Sequence, residues 1–194
     1  ESDLKVYFFS RQISTILTKI YVLLLEYAKS KPVKTKSKAC VERRIKIEIG
    51  SKKGGESMNQ IPLIHHGGRF QVTGSCHELR LADNSGLLID CGLTQGKDQH
   101  SPEIDFPVAH LRALVLSHVH IDHCGRLPYL LAAGFDGPIY CSQPSALLLP
   151  EILEDAIRIG ITRKQQFIDQ LLRKIKKQLR PLPYNHWQKI DGKS

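Results

Sequence analysis

No stretch of this 194-residue chain stays apolar over the roughly 18 residues that a membrane span requires. The nearest, residues 13–28, is broken by Lys19 and Glu26 and offers no small-x-small site at which a signal peptidase would cut. Paired cysteines are missing too. Cys40, Cys76, Cys91, Cys124 and Cys141 are odd in number and scattered, which argues against a disulfide framework and suits buried thiols under reducing conditions. These absences predict a cytoplasmic protein without membrane attachment. No internal repeat occurs, so solenoid architectures drop out.

Acidic residues are outnumbered: 28 Lys and Arg stand against 19 Asp and Glu, for a net charge of +9. The excess is uneven. Residues 1–57 hold 13 cations and 6 anions, whereas residues 58–194 hold 15 and 13. The basic character belongs mostly to the front, so the overall pI is a poor argument for nucleic-acid binding. The length suffices for one domain with a core of its own.

What is present is concentrated in Ser117-His118-Val119-His120-Ile121-Asp122-His123-Cys124-Gly125. Three imidazoles and a carboxylate fall within six positions, directly after the apolar run Leu114-Val115-Leu116. Residues two apart on extended chain point the same way, so His118 and His120 can grip one cation together. Asp122 and His123 come where the chain must turn and can face a second. Imidazole nitrogen with carboxylate oxygen suits Zn²⁺, with Mn²⁺ or Fe as rivals. A lone histidine is usually a packing residue; four such groups at H-x-H-x-D-H spacing after a buried strand read as a metal site. Cys124, next in line, reads as a packed thiol.

The motif His118-x-His120-x-Asp122-His123 resembles the signature of the metallo-β-lactamase superfamily. Val72-Thr73-Gly74-Ser75-Cys76-His77, Leu88-Ile89-Asp90-Cys91-Gly92 and Gly125-Arg126-Leu127-Pro128 flank it in an order similar to the β-CASP branch, the RNA-processing nucleases. The likeness covers about residues 67–190. It implies an α/β fold, the amino-terminal half of an αββα sandwich, with the site at one edge of the sheets. It also implies a hydrolase in which two zinc ions, about 3.5–4 Å apart, bring the pKa of water towards ~7 so that hydroxide attacks the substrate. Carried over residue by residue, His118 and His120 hold the first metal and Asp122 and His123 the second, Asp122 being the candidate catalytic carboxylate. Asp90 braces the histidine loop from behind. RNA is the implied substrate. A thioester, lactone or lactam hydrolase of the same superfamily is the alternative, and an inactive truncated product the non-enzymatic one.

Two ligands per metal are too few, because a catalytic zinc normally takes three from the protein. The family draws a further histidine, a bridging aspartate and a last histidine from later motifs. After Cys124 the only histidine is His186, which lacks a Gly-His context, and Asp136, Asp155, Asp169 and Asp191 have no matching surroundings. The expectation is the amino-terminal part of a dinuclear hydrolase whose remaining ligands lie beyond Ser194.

Periodicity predicts strands at Arg69–Thr73, His77–Ala82, Leu87–Asp90, Ala113–Ser117, Ile139–Ser142 and Trp187–Ile190. It predicts helices over 127–133 and 144–160, with a kink or fresh start at Pro150, and a third opened by a Thr162–Gln165 capping box and stopped before Pro181. That third helix carries Arg163, Lys164, Arg173, Lys174, Lys176, Lys177 and Arg180. The plainer reading is a solvated outer face, and the functional one a patch for RNA phosphates, with few aromatics nearby for stacking.

The front, residues 1–57, reads as a separate basic extension: an amphipathic helix within 13–28, then a Lys-rich linker from Ser30 to Lys38. The chain starts with Glu, its one methionine is Met58, and Lys53-Gly54-Gly55-Glu56 can be encoded by a purine-rich ribosome-binding sequence. The expectation is that translation begins at Met58 and that 58–194 is the family domain.

Overall fold

The computed structural model describes residues 5–7, 42–45, 61–96, 101–185 and 187–190. The predicted helix within 13–28, the Lys-rich linker, Met58, Cys40, His186 and Asp191 lie outside them.

Seven strands form the main sheet in simple chain order: β2 (Glu42–Ile45), β3 (Ile61–Gly67), β4 (Cys76–Arg80), β5 (Gly86–Ile89), β6 (Leu111–Val115), β7 (Ile139–Ser142) and β8 (Leu179–Leu182). Pairing is antiparallel from β2 to β5 and parallel from β5 to β8. A separate two-stranded ribbon joins β1 (Lys5–Tyr7) to β9 (Trp187–Lys189). The helices are α1 (Ile121–Cys124), α2 (Leu127–Ala132), α3 (Gln143–Gly160) and α4 (Gln165–Gln178).

Parallel strands are covered on both faces, and the side chains of β5 to β7 divide accordingly. Leu88, Leu114, Leu116 and Ile139 pack in one cluster with Leu149, Leu153 and Ile157 of α3 and Ile168, Leu172 and Ile175 of α4. Leu87, Ala113, Val115 and Tyr140 alternate onto the other face, beside Leu182 and Ile190. The period-2 pattern thus feeds two cores from one set of strands.

Most predicted elements stand within a residue or two, and four points differ. Arg69–Thr73 is bent chain, and the strand before β4 is Ile61–Gly67. The alternation of Phe70 and Val72 misled because both point outward, at 77% and 87% exposure, between the left-handed Gly68 and Gly74. Pro150 does not start a new helix: α3 runs unbroken from Gln143 to Gly160, with Pro150 buried in it beside Leu149 and Leu153. Thr162 does not cap α4: its Oγ1 accepts from Lys164 N at 3.2 Å, and the helix starts at Gln165. Pro181 does more than end a helix, for it lies in β8, at the end of the sheet where a missing N–H is tolerated.

A buried carboxylate ties β3, β4 and the approach to β6 together. Glu78 is fully buried and accepts from His66 Nε2 at 2.9 Å, Arg80 Nε at 2.6 Å and His110 Nε2 at 2.8 Å. Burial alone would raise its pKa, but the three hydrogen bonds and the Arg80 charge outweigh that and hold it down to about 2 from 4.5. A carboxyl depressed in the folded state stabilises fully above its unfolded value, and the contribution is lost as pH falls from 4.5 towards 2. Glu78→Gln is expected to lower stability at pH 7 by roughly 2–4 kcal/mol in urea denaturation. It should also flatten the wild-type decline across that acidic window; parallel curves for the two proteins would refute this.

Candidate metal centre

The site forms where β5 and β6 end. Because these neighbours run parallel, their carboxyl ends lie at the same sheet edge. Asp90 follows β5, and Ser117 to His123 follows β6. Backbone bonds then zip three segments together: Ser75 N to Asp122 O at 2.9 Å, Cys91 N to His123 O at 2.7 Å, and Leu93 N to Ile121 O at 3.0 Å. Gly92 makes this approach possible, since a Cβ there would overlap the Asp122 carbonyl.

Asp90 is the hub. It is 3% exposed, and its backbone is left-handed, φ +58°. That conformation costs about 1–2 kcal/mol for a residue with a side chain. The carboxylate repays it with four hydrogen bonds: from Ser117 N at 2.8 Å, Ser117 Oγ at 2.8 Å, Ser75 Oγ at 3.1 Å and His123 Nδ1 at 2.8 Å. At about 1.5 kcal/mol or more for a charged acceptor, any two offset the strain.

These bonds fix ring tautomers. A carboxylate only accepts, so His123 donates from Nδ1. Ser117 has one hydroxyl proton and gives it to Asp90, so its 3.0 Å contact with His118 Nδ1 is a bond the imidazole donates. In the neutral rings, both lone pairs are thereby left on Nε2. Burial, helped by the His123 charge, lowers the His118 pKa and favours its neutral form. For His123 burial also acts downward, but the Asp90 hydrogen bond and the charges of Asp90 and Asp122 outweigh it, and the pKa rises.

The four predicted groups converge. The rings of His118 and His120 are 4.5 Å apart and those of His118 and His123 4.0 Å apart, and His123 Nε2 lies 3.5 Å from Asp122 Oδ2. His120 is exposed and the other three half-buried, so the cluster opens to solvent. The donor set, neutral imidazole Nε2 plus carboxylate oxygen, fits a divalent cation such as zinc. Among the described residues, however, no three His, Cys, Asp or Glu side chains close into a metal cage. Asp136 and Asp155 are exposed, and Asp169 accepts from Gln165 on α4. Cys124 is a packed thiol, donating to Val119 O and pushed up to about 12 chiefly by burial.

Sequence reasoning missed Ser117 and Ser75 as partners of Asp90. The serine directly before the first motif histidine was the available signal. His77 was also passed over; burial holds it neutral, with a pKa of about 4.

This chain belongs to the metallo-beta-lactamase superfamily, whose profile matches residues 70–188. Members of that family generally bind metal ions, usually zinc. Among curated relatives, the chain is 36% identical over 135 residues to Ribonuclease TTHA0252 of Thermus thermophilus, covering 68% of this chain and 30% of the relative. It is 36% identical over 134 residues to the transcription termination factor FttA of Cenarchaeum symbiosum, covering 65% and 21%. Integrator complex subunit 11 of Danio rerio matches at 31% over 117 residues, 54% and 20%. The chain thus spans a fifth to a third of the length of these relatives. Among the described residues no helix is long and apolar enough to cross a membrane.

Asp90→Asn removes the charge that holds His123 up and replaces an oxygen acceptor at the hub. NMR titration of the histidine rings is expected to show His123 titrating at lower pH than in wild type. An unmoved His123 curve would refute the hub.

Proposed function

We propose that this chain carries half of a dinuclear metal site and acts in the hydrolysis of RNA phosphodiesters, in the manner of β-CASP nucleases. The single observation behind the reading is the Asp90-braced cluster of His118, His120, Asp122 and His123 at the sheet edge. The kinship with a ribonuclease supports the choice of RNA over other hydrolysable substrates.

His118 and His120 would hold one cation, and Asp122 and His123 the other. When bound, such ions supply Lewis acidity and make water more acidic near neutral pH. The chain's own part is positional. Asp90 and Ser117 keep both Nδ1 protons occupied, so the rings present their lone pairs without a reorganisation at the moment of reaction. Asp122 holds its carboxylate beside His123 Nε2, in reach of the same reacting group, and is the residue to which we assign the proton-handling role. The exposed ring of His120 leaves the site accessible from solvent to a polymeric substrate.

The test is cleavage of labelled single-stranded RNA by a form of the protein that carries the remaining metal ligands, with Zn²⁺ or Mn²⁺ against EDTA, beside thioester and lactone substrates. The expected outcome is metal-dependent RNA cleavage that falls at least ~100-fold in His118→Ala and in Asp122→Asn. Ester turnover with untouched RNA would reject the nuclease reading, as would RNA cleavage that survives both substitutions.

A further inference from the structure

We propose that the solvent face of α4 binds the phosphate backbone of single-stranded RNA, apart from the histidine site. The choice of RNA as the polyanion rests on the function proposed above.

The first observation is segregation of charge. Residues 58–194 hold 15 cations and 13 anions, yet 7 of those cations fall within 163–180 against one carboxylate, Asp169. A solvated face that only keeps a helix in water needs no such imbalance, and mixed signs at i,i+4 would stabilise it better. The second is that these charges are not neutralised. Among the described residues no ion pair involves Arg163, Lys164, Arg173, Lys174, Lys176, Lys177 or Arg180. Arg112 and Arg158, by contrast, are exposed cations that do have carboxylate partners.

The third observation is placement. Ile168, Leu172 and Ile175 fix the inward face of α4 in the core, which leaves Arg173, Lys174, Lys176 and Lys177 exposed. With 14 residues, α4 spreads its polar face over about 21 Å. Charges distributed along that length suit an extended polyanion better than one compact phosphate. Phe167 is 49% exposed and stands two turns before Lys174 on the same side, so one base can stack beside the cationic row. Arg180 Nη1 is held by the carbonyls of Lys177 and Leu179 at 2.8 and 2.9 Å, which fixes its guanidinium at the end of that row.

The experiment measures binding of labelled oligouridine to the 194-residue chain in EDTA, by anisotropy over a series of KCl concentrations. Working without metal separates this inference from the nuclease reading: lost cleavage with intact binding counts only against the latter. The combined variant Arg173→Gln, Lys174→Gln, Lys177→Gln changes exposed side chains only, and circular dichroism checks its fold. It is expected to bind at least tenfold more weakly at low salt and to reduce the slope of log K against log salt by about 2, since each phosphate contact on a single strand contributes roughly 0.7. Arg173→Lys should leave the slope unchanged. The matched control is Lys34→Gln, Lys36→Gln, Lys38→Gln in the basic front segment. The proposal is overturned if wild type does not bind RNA, if the α4 variant keeps the full slope while the control loses it, or if α4 charges govern binding to phosphatidylserine vesicles but not to RNA.

Discussion

One carboxylate governs this structure's chemistry. Asp90 sits buried between the loop after β4's predecessor, the end of β5 and the histidine loop, and takes four hydrogen bonds from Ser75, Ser117 and His123. Its position requires a left-handed backbone that a side chain normally avoids. Strain of this kind persists only where the surroundings over-determine it. Here the over-determination is also the device that orients two imidazoles, so the local cost and the site's readiness have one origin.

The environment around that carboxylate separates two roles among similar residues. His123 touches Asp90 directly and has its pKa raised, whereas His118 is reached through the Ser117 hydroxyl and has its pKa lowered, mainly by burial. Glu78 shows the same principle away from the site. Its three donors come from three parts of the chain and hold the sheet together. Both carboxylates are buried with both oxygens hydrogen-bonded, as burial of a charge demands. At Asp90 the oriented imidazole belongs to the histidine cluster, with its Nε2 on the side away from the carboxylate.

The motif was legible because its chemistry is local. H-x-H-x-D-H sets four donors along a strand end and turn, and they lie near one another in pairs: His118 with His120, His118 with His123, and His123 with Asp122. Ile139–Ser142 and the helix after Gly125 were equally readable from apolar runs ended by turn residues. What escaped depended on long-range pairing. Ile61–Gly67 was missed because its partner, β4, is what makes it a strand, while Phe70 and Val72 imitate one by alternation. β8 was hidden by Pro181, which only a strand with a single neighbour accommodates. The roles of Ser75 and Ser117 depend on a carboxylate 15 and 27 residues away.

The location of the site follows from strand direction. β4 and β5 are antiparallel, so their ends alternate between the two edges of the sheet, but β5 and β6 are parallel. Each of these strands is four or five residues long, about 13–17 Å. Had β6 run the other way, Asp90 and Ser117 would lie that far apart, beyond the reach of any side-chain hydrogen bond. The parallel step brings both carboxyl ends to one edge, where ligand sites of α/β sheets gather. The side chain that Gly92 lacks then lets the two loops close to backbone contact. Four donors on one edge of one sheet can surround a cation from one side only. This geometry explains why the cluster converges and yet, among the described residues, stops short of a closed cage.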